Sequence, residues 1–86
     1  MTKDQGAHVT SLLECRAGLI TEVRLVTGQV FVVHNVASGR DMGVDFDHFT
    51  TNISPAPAEP HSVDFFHADQ VASLIARESG DVLFAA

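Results

Sequence analysis

The 86-residue chain has one cysteine, no tryptophan, no tyrosine and only three prolines, all of them within Pro55-Ala56-Pro57-Ala58-Glu59-Pro60. With Cys15 alone no intramolecular disulfide can form, so a stapled secreted scaffold is excluded and a reducing, cytoplasmic setting fits. The N-terminal Met1-Thr2-Lys3-Asp4-Gln5-Gly6 lacks the apolar centre of a signal peptide. That removes the context in which Asn52-Ile53-Ser54 would act as a glycosylation sequon. No stretch approaches the ~20 apolar residues of a membrane helix, so no membrane partner is expected. Positive charge is scarce: five Lys and Arg stand against eleven Asp and Glu, for a formal charge of −6 with His neutral. A phosphate-tracking nucleic-acid binder normally carries a basic patch, so direct nucleic-acid binding is not expected.

Catalytic and metal motifs are missing too. There is no Gly-x-Ser-x-Gly, no phosphate-cradling glycine loop and no Ser/His/Asp set at a supporting spacing. The five histidines, His8, His34, His48, His61 and His67, form no His-x-x-x-His pair and no zinc-like spacing. Neither an enzyme nor a resident cofactor is expected. Cys15 lies beside Arg16, but a buried structural thiol is the plainer reading of it.

What is present is a core. Apolar residues make up 45% of the chain and six are phenylalanine, which is too apolar for generic disorder. A domain this small buries only somewhat over ~60% of its unfolded surface. With no disulfide, its stability has to come from an efficient β core, from oligomerisation or from a partner.

Residues 1–8 read as a flexible lead and residues 9–86 as one small β-barrel domain. Within His8 to Arg16, Val9, Leu12 and Leu13 sit at helical spacing, and Ala17-Gly18 ends the segment. Leu19, Thr21, Val23 and Leu25 share one face of a strand while Glu22 and Arg24 take the other. Thr27-Gly28 predicts a tight turn, and Gln29 to Val36 a second, β-branched strand. Ala37 to Gly43 reads as a loop. Val44 to Ser54 resumes strand character, with Phe49, Thr51 and Ile53 on one face and Phe46, His48 and Thr50 on the other. The proline segment breaks the pattern, and Ser62 to His67 predicts a fourth strand. Ala68 to Gly80 reads two ways: a helix capped by Asp69, or a 3₁₀ step at Ala68-Asp69-Gln70 followed by a strand over Val71 to Arg77. The series of strands before it favours the second. Val82 to Phe84 is a last short strand.

This order is mostly β, and resembles the small SH3-like and Sm-like barrels: partly open, about five strands, with a short N-terminal helix. In those folds a single 3₁₀ turn joins the last two strands, and Asp69-Gln70-Val71 looks like that turn. Among Sm-like proteins the acidic Rho-inhibitor family is similar in size, charge and order. Its leading strand has the form Leu-x-x-Gly-x, here Leu25-Val26-Thr27-Gly28-Gln29. The resemblance spans roughly residues 9–84 and is one of pattern; the Pro55–Pro60 insertion and the Asp41–His48 segment depart from it. The Sm signature for RNA is absent, so ring-type RNA binding is not implied.

Arg40-Asp41-Met42-Gly43-Val44-Asp45-Phe46-Asp47-His48 is the most unusual stretch. Asp45 and Asp47 share a face if it is extended. Carboxylates with His48 could suit a hard cation, but the further ligands and glycine spacing of a calcium loop are missing. A solvated acidic face is the plainer reading, and a surface for a basic partner is the functional one. His34 reads as a hydrogen-bonded histidine on a sheet face. Phe65 and Phe66 are adjacent, so one of them must leave the core side and stand in solvent or an interface.

The expectation is a non-enzymatic, acidic protein-binding module, itself a homo-oligomer, an adaptor or inhibitor masking a basic and often nucleic-acid-binding surface of a partner protein. Its binding residues would be Asp41, Asp45, Asp47, Glu22, Asp64 and Phe65. Phage-encoded inhibitors of host nucleoprotein machinery share this size and charge. The alternatives are a homo-oligomer holding a nucleotide-like small molecule between protomers, through Arg24, Arg40, His34 and His48, or a structural subunit of an assembly.

Overall fold

The computed structural model describes residues 1–53 and 63–86. The expectations for the proline segment and for His61 fall outside the described residues. Among those residues the chain is mostly β: one N-terminal helix and seven strands in two antiparallel sheets that do not close on each other.

Helix α1 covers Lys3–Cys15. It starts earlier than the apolar spacing predicts, because Thr2 and Gln5 form a reciprocal cap. The Gln5 amide donates to Thr2 Oγ1 at 3.1 Å, and the Thr2 amide donates to Gln5 Oε1 at 2.9 Å. Most of the lead expected over residues 1–8 is therefore ordered helix. Gly6, Val9 and Leu13 face inward at helical spacing. Cys15 lies off that stripe and is exposed, which corrects the expectation of a buried thiol.

The first sheet has the order β2-β1-β6-β7, built from β1 (Thr21–Leu25), β2 (Val30–Val33), β6 (Val71–Ala76) and β7 (Val82–Ala85). Along β1, Thr21, Val23 and Leu25 are buried, as the alternation predicts. The β1–β2 turn is a three-residue loop. Gly28 N donates to Leu25 O and Leu25 N to Gln29 O, both at 2.9 Å, with Gly28 at φ +91°. The second sheet has the order β3-β4-β5, from β3 (Val36–Gly39), β4 (His48–Thr51) and β5 (Phe65–His67). A 3₁₀ turn, Ala68–Gln70, leads from β5 into β6. That decides residues 68–80 for strand rather than helix.

Besides β5, which covers only residues 65–67 of the described part of the strand expected over Ser62 to His67, two boundaries differ from the sequence reading. The strand expected over Gln29 to Val36 bends at His34-Asn35 and resumes as β3, which takes in Val36 and residues 37–39, expected in a loop. One bent ribbon thus forms an edge of each sheet. Asn52 holds the bend. Its Oδ1 accepts from His34 N and its Nδ2 donates to Val32 O, both at 2.9 Å. Its own amide donates to Asn35 O at 2.9 Å, and the Ile53 amide donates to Asn35 Oδ1 at 3.1 Å. The second difference is in β4, which keeps only residues 48–51 of the expected Val44 to Ser54. Asn52 adopts φ 56°, which breaks the alternation, so Ile53 leaves the Phe49 and Thr51 face and is exposed.

Val9, Val23, Phe49, Phe66, Val71 and Leu74 are each at most 1% exposed and join the helix to both sheets in one core. No helix among the described residues is long and apolar enough to cross a membrane.

Candidate functional site

The outer face of the second sheet is built by alternation. On β4, Phe49 and Thr51 turn inward and His48 and Thr50 outward. On β5, Phe66 is 1% exposed and its neighbour Phe65 58%. His48 pairs with His67 and Thr50 with Phe65 across the strands. The result is a three-ring cluster. The Phe65 centroid lies 5.3 Å from both the His48 and the His67 centroids, and the two imidazoles are 6.1 Å apart. Gly39, opposite His48 on β3, makes room for it. A Cβ there would stand 2.9 Å from His48 Cε1. The imidazole can therefore lie over β3, with Nδ1 buried and Nε2 3.6 Å from Asp41 Oδ1.

The β3–β4 loop, residues 40–47, rises beside this shelf. Its base is fixed by Asp47. Asp47 Oδ2 accepts from the Thr10 hydroxyl of α1 at 2.7 Å, and Oδ1 accepts from Arg40 Nε at 2.9 Å. Its carbonyl accepts from the Ala68 amide of the 3₁₀ turn at 2.8 Å. Phe46 packs on Gly6 of α1, where a Cβ would meet its Cδ1 at 2.7 Å. The tip turns through a Val44 N to Asp41 O bond of 3.1 Å, with Gly43 at φ +80°. Met42 is fully exposed, and the Asp41 and Asp45 side chains are 69% and 61% exposed. A rigid base thus carries a protruding tip of two carboxylates and one methionine.

The Thr10 hydrogen bond is the main cause that holds the Asp47 carboxyl below its ordinary value of 3.8, against a smaller opposing effect of burial; Arg40 and His48 add to the lowering. A carboxyl whose folded pKa is depressed stabilises the fold above its unfolded pKa and loses that contribution as pH falls through the folded value. The stability gap between the wild type and Asp47→Asn should therefore be open at neutral pH and narrow below about pH 4. Urea unfolding at the two pH values measures it. A gap that does not change with pH would show that the charge on Asp47 is not what holds the loop.

The predicted binding residues separate into three places. Asp41, Asp45 and Asp47 share the β3–β4 loop and Phe65 stands beside it. Asp45 and Asp47 do not share a strand face, because they lie in the turn: Asp45 reaches Lys3 at 3.5 Å, while Asp47 is held by Thr10 and Arg40. Glu22 is on β1 of the other sheet, where Oε1 accepts from Arg24 Nη2 at 3.0 Å. Asp64 sits ahead of β5, its carbonyl and amide bonded to the Thr51 amide and hydroxyl, each at 2.9 Å. The alternative ligand set also divides. Arg40 and His48 flank the loop, Arg24 is on β1, and His34 is buried at the β2–β3 bend rather than on a sheet face. Among the described residues no three His, Cys, Asp or Glu side chains are grouped to hold a metal ion.

Sequence reasoning passed over Lys3, Thr10, Gly39 and His67, which complete this region. Lys3 follows Thr2 in the Thr-x-x-Gln cap, so the earlier helix start was visible. Thr10 and Gly39 matter only through contacts distant in sequence. Comparison with protein-family models, curated proteins and solved structures finds no match for the chain.

Proposed function

We propose that the protein is a non-enzymatic acidic binding module that covers a basic surface of a partner protein. Its contact region is the β3–β4 loop and the adjoining outer face of the second sheet. The observation that carries this reading is the pairing of exposed Asp41, Met42 and Asp45 with exposed Phe65 on a base fixed by Asp47. Exposed carboxylates steer a basic partner and set register, while an exposed aromatic side chain anchors it. Asp47 acts here as a positioning residue. Glu22 lies outside the contact region, on β1 of the other sheet, where it pairs with Arg24.

The pattern similarity to the acidic Rho inhibitors agrees with a target that normally binds nucleic acid, and the net charge of −6 agrees with mimicry of a phosphate strand. The test is affinity capture from a bacterial lysate with the wild type and with Asp41→Lys/Asp45→Lys, quantified by mass spectrometry. The expected result is one basic protein, retained at low salt by the wild type and reduced at least about tenfold by the double variant. Equal retention by both proteins would sink the reading.

A further inference from the structure

The three-ring shelf and the loop carboxylates meet at one imidazole. His48 Nε2 is 3.6 Å from Asp41 Oδ1, and the His48 ring is 5.3 Å from that of Phe65. An exposed phenyl and an exposed carboxylate therefore both border the same histidine. The shelf itself carries no fixed charge: Gly39, His48, Thr50, Phe65 and His67 face outward from the three strands. Arg40, next to Asp41 in sequence, is turned to Asp47 at 2.9 Å, and the Asp41 side chain is 69% exposed.

The geometry points to an arginine side chain of the partner as the group this face reads, its guanidinium stacked on Phe65 and its fork directed at Asp41. The inference rests on the function proposed above and adds the chemistry of recognition. A guanidinium is planar and weakly hydrated. It lies flat on a ring face while its edge donates paired hydrogen bonds to a carboxylate. A lysine ammonium meets the carboxylate but gains less from the ring plane. A nucleic-acid strand would also stack on the shelf, but Asp41 and Asp45 repel its phosphates. The charge beside the rings thus selects a cation over a base.

The test uses the full chain and two peptides, one with three arginines separated by glycine and serine and its counterpart with three lysines. Amide chemical shifts are followed at about pH 8, where an ordinary imidazole is neutral. The expected result is tighter binding of the arginine peptide by on the order of threefold to fivefold, with shifts centred on Gly39, Asp41, His48 and Phe65. Phe65→Leu should remove the preference and keep the residual charge attraction, and Asp41→Asn should weaken both peptides. Phe65 is exposed, so Phe65→Leu leaves the core intact, and the amide spectrum verifies the fold of each variant.

Equal binding of the two peptides, lost in Asp41→Lys/Asp45→Lys, overturns the arginine inference and leaves the acidic module standing. No binding of either peptide removes both. Tighter binding of a uridine oligonucleotide than of the arginine peptide overturns the inference in favour of a nucleic-acid shelf.

Discussion

Asn52→Ala should lower the unfolding free energy by about 3 kcal/mol, a large share of the stability of a domain this size. The Asn52 side chain bonds two backbone groups where β2 enters the bend, Val32 O and His34 N. His34 is 4% exposed, so its amide has little water to turn to once Oδ1 is gone. An orphaned buried backbone group costs ~1–3 kcal/mol. Alanine also has to hold φ 56°, a left-handed conformation that Asn tolerates and Ala does not, at ~1–2 kcal/mol. The two contributions can be separated. Asn52→Gly relieves the backbone strain and should recover roughly 1 kcal/mol without restoring the bonds. Asn52→Asp keeps the acceptor for His34 N and loses the donor to Val32 O. Denaturant midpoints at constant m-value measure all three. If alanine and glycine were equivalent and both near wild type, the bend would be held by something other than this amide.

The second large effect is expected at Arg16, which closes the C-terminal end of α1. Its guanidinium is shared among three elements. Nε donates to Thr21 Oγ1 at 2.7 Å, Nη2 donates to Ile20 O at 3.0 Å, and Nη1 and Nη2 reach the two Glu78 oxygens at 3.0 and 2.6 Å. One fork thus joins the helix end to the start of β1 and to the turn between β6 and β7. The Arg16 side chain is 12% exposed and Thr21 1%, so the Thr21 bond is shielded, whereas Glu78 is largely in solvent. Most of the effect should come from the buried contacts, because exposed ion pairs contribute little. Arg16→Met preserves the stem packing and should cost about 2 kcal/mol, chiefly through the orphaned Thr21 hydroxyl, since the Ile20 carbonyl keeps the Arg77 amide at 3.1 Å. Arg16→Lys should recover little, since an ammonium cannot match four acceptor atoms laid out around a planar fork. The penalty should persist in high salt, which screens the Glu78 pair but not the Thr21 bond. A lysine variant as stable as wild type would show that the fork geometry is irrelevant.

These two side chains bear on the proposed contact region from a distance. Asn52 fixes the bend that delivers β3 into the second sheet, and β3 ends in Gly39, the residue on which His48 lies. A loosened bend would move the shelf without touching any of its rings. Binding measurements on Asn52 variants therefore need a fold control, whereas Phe65 and Asp41 variants change the face itself.

The chain's own pattern determined a good deal. Period-two alternation placed Thr21, Val23 and Leu25 inside and put Phe65 and Phe66 on opposite sides, because a strand gives its side chains no other choice. Thr27-Gly28 marked the turn, since only glycine takes φ +91° there without strain. Ala68-Asp69-Gln70 marked the 3₁₀ step between β5 and β6, and charge and composition indicated an acidic, mostly β domain. What only the tertiary structure decided was wherever one residue's role depends on another far along the chain. The β2–β3 strand is shared between two sheets because Asn52, 18 positions from His34, holds its bend. Asp47 became a loop anchor rather than part of an open acidic face because Thr10, 37 positions away, donates to it. Residues 37–39 became strand because β4 offered a hydrogen-bonding edge, which outweighs the weak local preference of Ala-Ser-Gly. Local pattern fixes which way a side chain points; long-range hydrogen bonds fix which of those side chains meet.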